Sequence, residues 1–589
     1  MNGKEMKALA LGLALLASSG VARAEDQDQH NVRVDPAGVR AALRDELARS
    51  TAELHLGDEP RPYYVAYTLS DCEQATVSAT FGALTASHAY RGRLLRTDVR
   101  VGSPAFDNTN FEPGAKVDAL PIEDDYASLR RELWLRTDEA YKIALELYAR
   151  KRAAAAGQAA GDDDAHAVGD FSKEPPARFE VPFPAGKVEP EALRAAVVKL
   201  SAIFRDYPTL ASARVTGTYA VVHRRMASSE GAWIDDAQRT VRIDVTAEAQ
   251  AADGMKLRDF VPFSALEPTG LPPLPEMEKA VRAMAAELVA MRTAPVAETG
   301  AGAVLFEGLA GAQLTKLLLA DHLAGTPPPK TASAASDDGG QESALANKLQ
   351  QKVAAPLLSA VDDPLMTTGP GKAPLFGAYR VDDEGVPAQR VSLVEHGVLK
   401  ALLMTRTPRK ELARSNGHAR APRFAGPSAH PGTLVVTAKT GLPRKALLAE
   451  LARIAKGGGV TTYVVRLLDD GLLPPGDADD LLSMFSFGGG GHGPPPVRPL
   501  VVYRVDGGKE TLVRGLALEN LEPRSLKDVT AAGKDAVVYN YVDEGSGFSG
   551  VPTTIVAPSL LISDVDIRRV SGKNRKPPLS PPPGFAAAP

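Results

Sequence analysis

Several stretches of this 589-residue chain carry the side chains from which active sites are built. Asp382, Asp383 and Glu384 stand in succession and offer oxygen ligands to a cation. Consecutive residues in a short turn point in different directions, so a solvated turn is expected there instead. His322, His396, His418, His430 and His492 suit proton transfer or metal binding. No two histidines have the i, i+4 spacing that sets a zinc pair on one helix face, so a metal site would have to assemble by tertiary contact. Gly488 to Gly493 formally contains G-x-G-x-x-G, but Pro494 to Pro496 follow where a phosphate-binding motif needs a helix, and the stretch reads as a loop. A G-x-S-x-G nucleophile elbow is absent. The single cysteine, Cys72, cannot form an intramolecular disulfide and is expected to be a buried, inert thiol.

These residues need a scaffold, and the apolar periodicity predicts an α+β one with mixed helices and antiparallel sheets. A helix is expected from Pro36 to Ala52, with Val39, Leu43 and Leu47 on one face. Strand-like runs separated by turn residues follow from Tyr63 to Gly102. A long helix is expected from about Asp125 to Ala155, then an Ala-rich, acidic linker from Ala153 to Asp170. Pro190 opens another helix, strands are expected at Arg214 to Arg224 and Arg239 to Ala247, and a further helix runs from about Pro275 to Met291. The Pro-, Ala- and Ser-rich segment Thr326 to Gln341 reads as a surface loop. Val391 and Leu393, then Val398, Leu399 and Leu402, are apolar runs broken at Glu395-His396-Gly397, the pattern of a β-hairpin. Leu447, Leu448, Leu451 and Ile454 mark a helix ended by Gly457 to Gly459. Runs at Val501 to Arg504 and Thr511 to Leu518 flank a second hairpin turn at Asp506-Gly507-Gly508.

Composition narrows the functional classes. With 44% hydrophobic and 24% charged residues the chain can bury substantial cores. Lys4 and Lys7 precede an apolar run from Ala8 to Leu16, and Ala22-Arg23-Ala24 offers a small-x-small cleavage site, the pattern of a secretory signal peptide over residues 1–24. The run is shorter than the roughly 20 residues a spanning helix needs. The expected destination is periplasmic or extracellular, with no membrane span after cleavage. The formal charge is −4; residues 1–24 hold Lys4, Lys7 and Arg23 against Glu5, a net of +2, so the remainder carries −6. A net-acidic chain without a basic block lacks the electrostatic footprint of a nucleic-acid binder.

The acidic turn Asp382-Asp383-Glu384-Gly385, the Gly397-Val398-Leu399 hairpin and the loop Asn416-Gly417-His418-Ala419-Arg420 follow in an order and spacing that resembles the TldD/PmbA family of peptidase-like proteins. Val101-Gly102 with Asp107-Asn108, the Asp138 to Lys142 run, Val513-Arg514-Gly515, and Val551-Pro552 with Ala557 to Leu561 extend the likeness from about Thr97 to Arg569. The expected organisation is an N-terminal α+β region at 25–160, a central α+β region at 161–295, a β-rich TldD/PmbA-like domain at 296–570 and a disordered Pro-rich tail at 571–589.

In metal-bearing members of that family a His-Glu-x-x-x-His stretch and a later cysteine hold a zinc that activates water. Aligned on Glu307, Phe306 and Gly311 stand where the two histidines would be, and Gly545 to Gly550 contains no cysteine. Zinc needs nitrogen, sulfur or carboxylate donors, so the resemblance implies no metal and no other cofactor. Glu307 keeps the position of the general base, or is simply a glutamate favoured at a helix N-terminus. The resemblance further implies a peptide or protein segment held by strand addition, with Asn416, His418 and Arg420 binding substrate. The expected assembly is a homodimer, or a heterodimer with a relative carrying intact His-Glu-x-x-x-His. Two other readings stay open: an active metallopeptidase with an unrecognised ligand set, and a structural protein that kept the fold.

Overall fold

The computed structural model describes residues 35–111, 116–157, 168–182, 188–327, 343–458, 460–471, 496–543, 545 and 547–570. The segment 1–24, the Gly488 to Gly493 stretch with His492, and the tail 571–589 lie outside the described residues, as does most of the expected Thr326 to Gln341 loop.

The N-terminal strands are longer than the sequence runs indicate. Pro62–Thr80 pairs antiparallel with Ala83–Ser103, and Ser212–Ser228 pairs likewise with Trp233–Gln250. Pro62–Thr80 also pairs with Ser212–Ser228, so strands from both the 25–160 and 161–295 regions join one eight-stranded sheet. Polar residues that interrupt the apolar alternation do not end these strands, because they satisfy one another across the ladder. Asp71 lies opposite Arg93, whose Nε donates to it at 2.5 Å, and Arg225 on the other neighbouring strand donates to the same carboxylate at 2.7 Å.

Alternation along Pro62–Thr80 assigns its two faces. Val65, Tyr67 and Leu69 pack against the helices Pro36–Glu53 and Tyr126–Gly157. Ala75, Val77 and Ala79, on the same face further along, pack against Glu191–Ala202. The even-numbered side chains look the other way, toward the C-terminal half: Tyr64 and Ala66 cluster with Val381, Arg423 Nη1 reaches Ser70 Oγ at 3.5 Å, and Gln74 Oε1 accepts from Phe548 N at 3.1 Å.

The C-terminal half is built of a six-stranded and an eight-stranded sheet with the helix Leu309–Leu318 between them. That helix is buried on all sides, which demands apolar or internally bonded side chains. Gln313 accordingly exchanges hydrogen bonds with both backbone groups of Leu468 at 2.9 Å, and Thr315 donates to Gly311 O at 2.8 Å. In strand Gly300–Phe306, Val304 and Phe306 belong to this core, while Ala303 and Leu305 face helix Arg444–Gly458 through Leu447 and Leu451. Both expected hairpins form. Val391–Glu395 turns into Val398–Leu399 with φ of 48° and 81° at His396 and Gly397, and Arg498–Asp506 turns into Lys509–Val513 with 58° and 86° at Gly507 and Gly508. Two successive positive φ values are the signature of the type I′ turn that matches strand twist. Helices with largely antiparallel sheets make this an α+β fold, as the periodicity predicts.

The acidic turn departs from expectation. Asp382, Asp383 and Glu384 are only 0%, 4% and 9% exposed, buried where the N-terminal sheet meets the C-terminal half. Arg224, from strand Ser212–Ser228, donates to Asp383 Oδ1 at 2.6 Å and to the carbonyls of Val381 and Asp382 at 2.9 and 3.0 Å. Its Nε and Nη2 also hold Asp236 at 3.0 and 2.7 Å. Beside it, Glu384 accepts from Arg406 N at 2.6 Å, while the Arg406 guanidinium bonds Ser172 O and Glu230 and lies 3.6 Å from the Phe171 ring centre. Removing one member of a buried ion pair leaves the other uncompensated. Arg224→Met is therefore expected to lower unfolding free energy by about 3–5 kcal/mol in chemical denaturation, far more than Arg44→Met at an exposed pair.

Candidate functional site

The positions of the two expected histidines are occupied by packing. Phe306 is fully buried in the core between the sheets. At Gly311 a Cβ would stand 2.5 Å from the Pro558 carbonyl oxygen and 3.2 Å from Phe306 O, so the helix touches neighbouring backbone with no room for a side chain. The Pro558-Ser559 turn is itself fixed: Ser559 Oγ accepts from Gly308 N at 2.9 Å and donates to Asp535 at 2.5 Å. Glu307 precedes the helix, and its carboxylate is ion-paired with Arg444 and with Arg466 Nε at 3.1 Å. Both arginines also bond Glu510, which closes a four-membered network. Two guanidinium groups thus hold both oxygens of this carboxylate, which ties the base-like position into an ion-pair network.

Beside that network lies a cavity of about 510 Å³ lined by Asp259, Glu287, Leu309, Arg466 and the stretch Val537 to Asn540. Val537–Asp543 is the terminal strand of the six-stranded sheet. Asp259 is buried with its Oδ2 unpartnered among the described residues, and burial, reinforced by Glu287, drives its carboxyl well above the ordinary carboxylate range.

The loop residues expected to bind substrate have different fates. Asn416 is a splint: its Oδ1 accepts from Met404 N and its Nδ2 donates to Leu402 O, each at 2.8 Å. His418 is fully buried, with Nε2 3.1 Å from Asp362 Oδ1 and Nδ1 2.9 Å from Asn416 O, so both ring nitrogens are used internally. Arg420 differs. Its guanidinium stacks 4.2 Å from the Tyr379 ring centre, its Nε is 3.8 Å from Asp383, and its Nη1 has no hydrogen-bond partner among the described residues. Glu307 shares no partner with these three residues; the structure holds it in a separate network.

Arg420 lines a second cavity, of about 210 Å³, together with Arg224, Arg380 and Arg423, Asp236 and Asp383, Tyr379, and an apolar wall that includes Phe179, Val181 and Val222. Burial pushes Asp383 up, but Arg224, Arg423, Arg420 and Arg96 outweigh it and hold the carboxyl well below its usual range. Asp382 has no such escort. Burial and the Glu384 charge raise it to about 8 against donation from Val386, Ala419 and Glu384 N–H groups. Arg224 and Arg423 were not singled out by sequence reasoning. The available signal was the pair Arg224-Arg225 inside the apolar run Ala220 to Met226, where the chain had no reason to hold two charges unless both found partners.

The remaining histidines are dispersed. His396 sits in the hairpin turn, His430 pairs with Asp543 at 3.1 Å, and His322 is lowered by burial at the end of the central helix region. Among the described residues no group of three or more His, Cys, Asp or Glu side chains is placed to hold a metal ion. Cys72 is buried, and burial raises its thiol to about 11, which leaves it protonated and inert at neutral pH.

Residues 303–466 match the PmbA/TldA metallopeptidase C-terminal domain. Over that stretch the chain is similar to the TldD/PmbA family. A curated relative, a metalloprotease of Archaeoglobus fulgidus, is 38% identical over 78 residues, which cover 13% of this chain and 17% of that protein's length. Among solved structures, TldE of Thermococcus kodakarensis superposes with a TM-score of 0.58 at 13% identity, covering 90% of this chain and all of that one. A Thermotoga maritima protein described as a proposed modulator of a DNA gyrase gives 0.56 at 14% identity over 86% of this chain and 96% of its own. At such identities the structural likeness speaks to fold, and it spans nearly the whole of each of those two chains.

Two measurements test the geometry. Restoring the two histidines with Phe306→His and Gly311→His is expected to destabilise the protein without zinc uptake in equilibrium dialysis, because the Gly311 position faces backbone. The folded chain holds the Asp382 proton up to about pH 8, whereas the ordinary value is 3.8. Its contribution to stability is thus complete below the ordinary value and lost as pH rises through about 8. Asp382→Asn is expected to flatten the decline in stability between pH 5 and 8, by roughly 1 kcal/mol per pH unit, in denaturation series at matched ionic strength.

Proposed function

We propose that this TldD/PmbA-like chain is a zinc-less, peptide-binding or partner subunit of a peptidase assembly. The observation that carries the reading is the packing at Phe306 and Gly311, which leaves the family's metal position without donors and without space. Peptide binding is supported by the cavity of about 510 Å³ beside Val537 to Asn540, since the terminal strand Val537–Asp543 offers backbone groups to an added strand. Glu307 serves this role by fixing Arg466 at the cavity wall rather than by taking a proton. The pairing partner in this proposal is a second TldD/PmbA-type chain, either identical or carrying His-Glu-x-x-x-His. The Lys4-Lys7 and Ala8 to Leu16 pattern supports placing the assembly outside the cytoplasm.

Elemental analysis of the purified protein under non-chelating conditions tests the zinc-less reading. The expected result is far less than one zinc per chain, with binding of an unstructured ten-residue peptide unchanged by a chelator. About one zinc per chain, lost with activity on chelation, would overturn it.

A further inference from the structure

The cavity beside Arg420 differs from its surroundings in how its charges are balanced. Its lining holds four arginines and two aspartates. Arg224 engages both carboxylates: it bonds Asp236 through two nitrogens and Asp383 through a third. Arg420 is left with a 3.8 Å approach to Asp383, and Arg423 with a 3.5 Å contact to Ser70 Oγ. Arg420 Nη1 and Arg423 Nε are both buried polar atoms without a hydrogen-bond partner among the described residues. The two residues are only 4% and 9% exposed.

A guanidinium removed from water and left short of acceptors is an expensive arrangement. Two of them on one wall constitute a charge-assisted donor set waiting for an anion. Arg420 is braced at its guanidinium and Arg423 at its backbone. Tyr379 backs Arg420, with its hydroxyl donating to Gly417 O at 2.9 Å, and Arg423 N donates to Ser549 O at 2.9 Å. The fork is preorganised, as arginine sites for planar anions are.

We propose that Arg420 and Arg423 bind the carboxylate of a peptide, received in the cavity between the N-terminal sheet and the Pro364 to Arg423 segment. The volume, about 210 Å³, is below the roughly 300–1,000 Å³ that encloses drug-sized ligands, so it admits one end group and not a chain. Phe179, Val181 and Val222 provide apolar contact for the carbon skeleton that bears the carboxylate. The proposal rests on the peptide-binding reading above and adds a chemical requirement: a peptide lacking a carboxylate is recognised less well.

Calorimetric titration of the full chain with small probes at fixed ionic strength tests it. N-acetyl-leucine presents a terminal carboxylate, N-acetyl-aspartic α-amide a side-chain carboxylate, and N-acetyl-leucinamide neither. Binding of either acid at least tenfold tighter than the neutral amide is expected, and the tighter acid identifies the source of the carboxylate. Arg423→Met should abolish that preference in a chain that still unfolds in one cooperative thermal transition, because the wild-type guanidinium makes a single hydrogen bond among the described residues, at 3.5 Å to Ser70 Oγ; Arg420→Gln supplies a second variant should the first misfold. Equal binding of acid and amide, tighter binding of inorganic phosphate than of either acid, or an unchanged preference in both variants would overturn the carboxylate site. A ten-residue peptide with an amidated C-terminus separates the two claims. If it binds while the small acids do not, the pocket proposal fails and peptide binding stands; if the acids bind and the peptide does not, the reverse holds.

Discussion

The junction between the two halves of this molecule depends on Arg224. A single guanidinium reaches across from the middle of the N-terminal sheet to grip Asp383 and the carbonyls of Val381 and Asp382, while Asp236 on the adjacent strand holds its other side. Its rigidity comes from geometry: a planar fork with five donors can satisfy two carboxylates and two carbonyls at once only if all four are fixed relative to one another. Everything around it inherits that constraint. The even-numbered face of Pro62–Thr80 must lie against the turn, Asp382 must accept the amides of Glu384, Val386 and Ala419, and the Ser415 to Arg420 loop must return beside it. Buried charge of this kind contributes little net stability compared with an apolar contact of similar size. What it contributes is registry, because a shifted interface would strand several charges at once.

The same constraint explains why the acidic turn could not be read correctly from sequence. Three adjacent acids in a Gly-containing turn look solvated, since the partner that buries Asp383 is 159 residues away. The long strands were hidden for a related reason. Asp71, Arg93 and Arg225 break the apolar alternation locally, yet each is satisfied by a neighbour on another strand. By contrast the two type I′ hairpins and the helices at Pro36–Glu53, Tyr126–Gly157, Leu274–Met291 and Arg444–Gly458 were legible, because their signals are contained in the segment itself. Local turn chemistry and period survive without tertiary context; charge placement does not.

The candidate site divides along the same line. That Phe306 and Gly311 lack donor atoms is visible in the letters. That the space is also gone, with the Pro558 carbonyl against Gly311, is visible only in the packing. The distinction matters chemically. A site that has lost its ligands but kept its cavity is one substitution step from metal binding, whereas one filled by backbone requires the helix Leu309–Leu318 to move, and that helix is buried on every side.

Asn416, His418 and Arg420 show how neighbouring polar residues of one loop serve unequal ends. Asn416 and His418 spend every polar atom on the protein interior, joining the loop to Leu402, Met404 and Asp362. Substituting either would be felt as lost loop geometry. Arg420 alone keeps donor capacity at a cavity wall, and it does so because Arg224 has already claimed the nearby carboxylates. The structural ion pair and the open binding position are thus one arrangement: the tighter Arg224 holds Asp383 and Asp236, the less acceptor capacity remains for Arg420 and Arg423, and the stronger the wall's demand for an anion from outside.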